Sequence, residues 1–289
     1  MKHLLASAIL AHAVSLIAHA EEPNRFIRVD EDDSAARLQT GITRYSKDGK
    51  SVDLIGAVHI ADRAYYEELN KRFEGYDALL FEMVGGDQIG AKDEAGEKKS
   101  PGAAGLQQIY TMVSRFLKLS GQSEVIDYTA ANFVHADLTH EEFERMQAER
   151  GETVIGFAMA TAGEEMAAQP DPAKLMKAML SGNSNALKLE LVHTLGHGGD
   201  QISAFAGESV IITDRNQRAM DVLAREVEGG KSNLAIFYGA AHFPDMEKRL
   251  LEQGYVRGEH EWLTAWDIPK PQPKVEPPAA EAEEVKEAA

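Results

Sequence analysis

The segments "LQTGITRYS" and "SVDLIGAV", the second turning apolar from Leu54 onward, read as strand-like runs of hydrophobic and polar positions flanking Lys47-Asp48-Gly49-Lys50. Asp-Gly between strand-forming runs marks a two-residue hairpin, so an antiparallel pair is expected after the acidic approach "VDEDDSAARL". The period then changes. Between Asp62 and Phe73 apolar and aromatic residues recur every three to four positions, with Asp62 placed as N-cap and Gly75 just past the last turn, which predicts a helix. "DALLFEMV" has the continuous apolar character of a strand buried on both faces, and strand, helix, strand in this order predicts a parallel, right-handed β-α-β crossover.

From Gly85 to Pro101 the chain turns to Gly, Lys, Asp and Glu, the composition of a surface loop. A mostly helical middle is expected over about 105–195, where "GLQQIYTMVSRFLKLS", "THEEFERMQAER" with a Thr139/Glu142 capping box, and "DPAKLMKAML" follow one another. "GESVIITDRNQRAMDVLAREV" predicts one long amphipathic helix and "SNLAIFYGAAH" a second buried strand. Pro244 suits the first turn of a further helix, and "GYVRGEHEWLTAWDI" closes the domain as antiparallel strands. The expected fold class is α/β: a mixed central β-sheet with flanking helices and a helical insertion.

The ends differ from this pattern. Lys2, a short apolar stretch and Ala18-His19-Ala20 have the form of a cleavable leader over residues 1–20, which implies export to a periplasmic or extracellular space with no permanent membrane span. Residues 269–289 hold five prolines, five glutamates and no aromatic residue, so they are expected to form a disordered tail beyond the 21–268 domain. The net charge of −17, without a Lys/Arg cluster, argues against a nucleic-acid partner. The chain contains no cysteine, which excludes disulfides, thiolate metal sites and cysteine nucleophiles.

The candidate chemistry sits at strand ends. Gly56-Ala57-Val58-His59 and Gly239-Ala240-Ala241-His242 repeat one pattern, each closing an apolar strand before a helix, and Glu82 closes the strand between them. Ligands of open α/β sheets gather at the carboxyl ends of strands, so the three side chains are expected to share one crevice. A lone strand-end histidine is more often a packed turn residue than a ligand. The duplicated motif together with an acid embedded in "LLFEM", costly to bury without a cation or a hydrogen-bond network, favours the joint reading. Two imidazoles and a carboxylate suit a divalent metal, Zn, Mn or Co, with positions left open for chemistry.

Other features have bland readings. Arg215 and Asn216, taken on spacing alone, belong to the solvated face of their helix, whereas Ile211, Ile212, Ala219, Met220 and Leu223 follow core spacing. His193 and His197 in "HTLGH" lack the glutamate of a zinc helix. In "NFVHADLTHEEF", Asp137 and Thr139 read as backbone caps beside His135 and His140, with His135 a reserve ligand. Tyr65 and Tyr66 read as core, and "GGKSN" lacks phosphate-loop spacing.

The paired Gly-x-x-His motifs, Glu82, Arg215-Asn216 in "TDRNQRAM" and the ending "GAAHFPDMEKRLLEQGY" together resemble the TraB/GumN family, related to PrgY pheromone-shutdown proteins and the Tiki metalloproteases. The resemblance runs from about Leu38 to Trp266 and is loose in the helical middle. It implies a metal-dependent hydrolase, peptidase-like, on the fold shared with erythromycin-esterase-like and ChaN-like haem-binding proteins. On that likeness His59 and His242 would bind the metal, Glu82 would be a ligand or the general base, Arg215 would steady negative charge, and Asn216 would orient a neighbour. The substrate would be a peptide or another carbonyl compound; the alternative is a non-catalytic protein that sequesters a peptide or haem.

Overall fold

The computed structural model describes residues 25–88, 111–153, 156, 171–193 and 209–271. The expected leader, most of the expected 85–101 loop, His197 and all but the first residues of the expected tail lie outside the described residues.

A seven-stranded mixed sheet organises these residues. β2 (Ala35–Lys47) and β3 (Lys50–Ala57) form the expected hairpin, whose turn residues Asp48 and Gly49 have φ of 49° and 75°. Positive φ at both central positions is the primed turn that matches strand twist, and Asp-Gly is the pair that tolerates it. β1 (Ile27–Glu31) pairs antiparallel with the first half of β2, so part of the acidic approach is itself a strand. Asp32 makes this possible: its Oδ1 accepts the amides of Ser34 (2.7 Å) and Ala35 (2.9 Å), turning the chain back on itself. The closing segment is one fourteen-residue strand, β9 (Val256–Pro269), instead of several. It follows β2 from Ala35↔Pro269 to Ser46↔Val256, and two register shifts let a single strand stay paired with its twisted partner.

The other half of the sheet is parallel. β3, β8 (Asn233–Gly239), β5 (Ala78–Phe81) and β7 (Phe133–His135) lie side by side in that order. The crossover from β3 through α1 (Arg63–Phe73) to β5 is parallel as expected, but β8 is inserted between its two strands. The middle of the chain is not purely helical, because β7 comes from it. A three-residue strand carries too little periodicity to stand out between helical segments. A separate two-stranded ladder joins β4 (Ile60–Ala61) to β6 (Ser120–Gly121) just beyond the end of β3.

Leu54, Ile55, Leu79, Leu80, Ile236 and Phe237 form the sheet's buried centre. Tyr65, Tyr66, Leu69 and Phe73 of α1 pack into the same core, as do Ala219, Met220 and Leu223 of α4 (Arg215–Glu228) and Phe243, Met246 and Leu250 of α5 (Phe243–Glu252). Among the described residues no helix is long and apolar enough to cross a membrane.

The expected single helix before β8 has two parts. Residues Val210–Asp214 form a π-helical turn and α4 begins at Arg215. The run Val210-Ile211-Ile212-Thr213 is β-branched throughout and crowds a normal helical turn, which fits the wider winding there. Asp62 stands at the N-cap position of α1 but does not cap it; its carboxylate accepts the Asp267 amide at 2.8 Å and faces Lys188 Nζ at 3.5 Å. The Thr139/Glu142 capping box is present at α2 (His140–Arg150), with Glu142 N donating to Thr139 Oγ1 (3.2 Å) and Thr139 N to Glu142 Oε2 (2.9 Å). The remaining long described helices are α3 (Pro172–Leu180) and residues 184–193.

Glu142 also ties α2 to α4, accepting from Arg218 Nη2 at 2.6 Å. The Arg218 guanidinium, with the Thr139 amide, lowers the Glu142 carboxyl from about 4.5 to about 2. A folded value below the unfolded one stabilises the fold above the unfolded value and is lost as pH falls toward 2. Glu142→Gln, which keeps the cap acceptor, is expected to flatten the urea-unfolding stability profile between about pH 4.5 and 2. Because the pair is about a third exposed, the stability involved is ~0.5–1 kcal/mol.

Candidate functional site

The carboxyl ends of the four parallel strands converge because their registers are nearly level: Ala57 pairs with Gly239, and Phe81 with both Phe237 and His135. Residues that follow these ends, namely His59 after β3, Glu82 after β5, Asp137 after β7 and His242 after β8, therefore leave the sheet on one edge. The first turn of α4 brings Arg215 and Asn216 to that edge, and both are buried. The reading of these two as a solvated helix face is overturned.

Arg215 links two carboxylates. Its Nη2 donates to Glu82 Oε1 and to Asp137 Oδ2, each at 2.6 Å, its Nε donates to Asp137 Oδ1 at 2.9 Å, and its Nη1 reaches the Ile211 carbonyl at 3.3 Å. Burial works against this guanidinium, yet the two acids hold its pKa above the ordinary value. Glu82 is treated alike: burial would raise its carboxyl, but Arg215, His242 and His59, together with the Gly239 amide, bring it well below the usual carboxylate range. The acid embedded in "LLFEM" is thus satisfied by a positive partner and a hydrogen-bond network.

Asp137 was expected as a backbone cap. It does accept the Leu138 amide at 2.8 Å, but its main partner is Arg215, and it is 1% exposed. Sequence reasoning missed this role because β7 was not recognised. Its position just past "NFVH" at a strand end was the available signal.

The two motif glycines have different reasons. A side chain at Gly56 would press within 3.0 Å of the Phe26 carbonyl and 3.2 Å of Thr40 Cβ, so packing against the neighbouring backbone requires glycine. Gly239 is chemical: its amide donates to Glu82 Oε2 at 2.6 Å, and a Cβ there would stand 3.3 Å from the same oxygen. Tyr65 and Tyr66 are core, as expected, but their hydroxyls also fix the strand end leading to His59, donating at 2.7 Å to the Gly56 and Val58 carbonyls.

His242 is 4% exposed, and burial, with the nearby Arg215, lowers its pKa to about 4, so the ring is neutral at pH 7. Which nitrogen carries the proton follows from Asn216 together with the acceptors on its far side. Asn216 Nδ2 points at two groups that can only accept, the His242 carbonyl (3.1 Å) and Asp245 Oδ2 (2.8 Å). Its Oδ1 must therefore be the atom 2.6 Å from His242 Nδ1, and that nitrogen is the donor. The Nε2 lone pair is left facing Glu82 Oε1 at 3.6 Å.

A cleft of about 330 Å³ opens on this edge, lined by His59, Glu82, Arg215, Gln122, Glu124 and Tyr128 among others. The Gln122 amide donates to the His59 carbonyl at 2.9 Å, fixing the backbone that presents the exposed imidazole. His135, the reserve ligand, has its Nε2 2.7 Å from the Met83 carbonyl and its ring packed on Phe81. His193 pairs with Glu31 of β1 at 3.1 Å.

Among the described residues no group of three or more His, Asp or Glu side chains is already arranged around one point as a metal cage. Two of the three expected ligands nevertheless face each other suitably. Metal-to-ligand distances of about 2.1 Å at Zn allow one cation to touch both His242 Nε2 and Glu82 Oε1 across their 3.6 Å gap.

Against known proteins, the chain matches no family model, no curated protein and no solved structure.

Removing one member of a buried ion cluster leaves the others uncompensated. Arg215→Met is expected to lower unfolding stability by ~3–5 kcal/mol in urea titrations at pH 7. Arg215→Met combined with Asp137→Leu should recover part of the loss, because one of the two stranded charges goes with it.

Proposed function

We propose that this protein is a metal-dependent hydrolase of the TraB/GumN type, exported from the cell, that cleaves a peptide or another carbonyl substrate in the cleft at the carboxyl edge of the sheet. The observation that carries the reading is the pair of acceptors, His242 Nε2 and Glu82 Oε1, facing each other at 3.6 Å, with Glu82 lining the same cleft as His59 and His242 buried behind it. Two lone pairs so placed repel unless a proton or cation lies between them. The charges point the same way: two carboxylic side chains, Glu82 and Asp137, share one guanidinium, and His242 adds no positive charge at neutral pH. His59, His242 and Glu82 are the residues that would hold Zn, Mn or Co, and such a cation supplies Lewis acidity at a substrate carbonyl.

The chain's own groups have separate tasks in this reading. Arg215 keeps Glu82 ionised and aimed. The four bonds it makes leave one Nη1 proton to meet negative charge that develops in the cleft. Asn216 fixes the orientation of the His242 ring. The resemblance of the motifs supplies the reaction class, and the leader-like residues 1–20 supply the export.

A second reading, sequestration of a peptide or haem without turnover, is favoured by the mutual neutralisation of Glu82 and Arg215 and by the lack of a preformed three-ligand group among the described residues.

Elemental analysis and calorimetric titration with Zn, Mn and Co test the first reading. The expected result is one bound cation per chain, abolished in His59→Ala and His242→Ala while far-ultraviolet circular dichroism is unchanged, and metal-dependent products when a peptide library is followed by mass spectrometry. Stoichiometric metal in both variants would overturn it. Saturable peptide or haem binding with no product at any metal level would establish the second reading instead.

A further inference from the structure

Asn216 alone does not decide which nitrogen of His242 is protonated, because a side-chain amide can turn over and present its NH₂ where its oxygen stood. What holds the amide is its far side. Asp245, three residues after His242 on α5, places Oδ2 2.8 Å from Asn216 Nδ2, and the same oxygen accepts Arg249 Nε at 2.7 Å. An amide flip would set the Asn216 oxygen against this carboxylate and against the His242 carbonyl, exchanging two hydrogen bonds for two repulsions. The chain of contacts runs from a partly exposed Arg249 through Asp245 and Asn216 to a histidine that is 4% exposed.

We infer that Asp245 is a positioning residue that, acting through Asn216, holds His242 in the Nδ1–H form and so keeps Nε2 bare toward Glu82. Without it, the competing arrangement puts the proton on Nε2, the nitrogen that faces the Glu82 carboxylate at 3.6 Å. That arrangement would leave His242 without a bare nitrogen toward Glu82. Two nearby groups outside the relay do not compete for the Asp245 oxygen: Gln217 turns its Oε1 to Arg249 Nη1, and Tyr238 packs edge-on to the His242 ring while its hydroxyl bonds the Ala136 carbonyl. The tautomer assignment stands with or without a cation; only its consequence for metal affinity rests on the function proposed above.

Long-range ¹H–¹⁵N correlation spectra of the histidine rings in the metal-free protein read the tautomer directly. In the unsubstituted protein His242 is expected to show a protonated Nδ1 and an unprotonated Nε2. An unsubstituted protein with the proton on Nε2 would overturn the inference without any variant. In Asp245→Leu the two ring-nitrogen shifts should move toward each other as the Nε2–H form gains population, whereas Asp245→Asn, whose side-chain oxygen can still accept from Asn216, should retain the original pattern. Unchanged shifts in a folded Asp245→Leu would also overturn it. Zn titration should then show about a tenfold loss of affinity in Asp245→Leu relative to Asp245→Asn. Absence of Zn binding in the unsubstituted protein, with the expected tautomer seen, would support this inference and sink the metal reading.

Discussion

A single buried guanidinium shared by two acids holds the functional edge of this protein together. Arg215 reaches Glu82 just past β5 and Asp137 in the segment after β7, and it belongs to α4, so three separate pieces of chain are fastened at one point. Such a cluster adds little net stability, since desolvation of three charges offsets most of their attraction. What it provides is specificity: α4 must dock with its first turn over the strand ends, because any other placement strands a charge in the interior. Asn216 is then set beside His242, and the ring orientation that follows depends on it.

Regular elements were the legible part of the chain. The Asp48-Gly49 hairpin, the helix from Arg63 to Phe73, the strands containing Leu79 and Ile236, and the capping box at Thr139 were readable because each is fixed by local spacing or local hydrogen bonding. The expected site residues Glu82, His242, Arg215 and Asn216 do assemble at one edge, and His59 lines a cleft there with Glu82 and Arg215. The hidden part was whatever depends on pairing at long range. β1 and β7 are strands chiefly because β2 and β5 offer them an edge, and Asp137 is a partner of Arg215 only because β7 ends where it does. Asp62 shows the same rule in reverse: its local position invites a cap, but the distant Asp267 amide takes the carboxylate.

The two Gly-x-x-His motifs look like copies in the sequence, and their structural causes differ. At Gly56 glycine is needed by the close approach of the Phe26 carbonyl, a packing matter settled by β2 and the segment before β1. At Gly239 the backbone amide itself is a ligand of Glu82, and glycine lets the carboxylate come close. The histidines differ correspondingly. His242 is buried and held by Asn216, with one nitrogen committed and the other facing an acid; His59 is exposed at the cleft, its backbone fastened by Gln122 and Tyr66 contacts to neighbouring carbonyls. One imidazole is buried and fixed by a side-chain partner, and the other stands at the solvent side of the cleft.

The charge balance of the cleft narrows what can arrive there. Glu82 lies below the usual carboxylate range, His242 titrates near 4, and Arg215 is spent mainly on two acids, so at neutral pH the inner wall carries no surplus positive charge. Glu124 adds a further acid to the lining. An anionic ligand would enter against this field, and burial would enlarge the repulsion because solvent screens it less. On the reading proposed above, a cation would meet the opposite situation, with the His242 lone pair and a carboxylate oxygen already turned toward one another by the fold, so their orientation would not be a cost of binding.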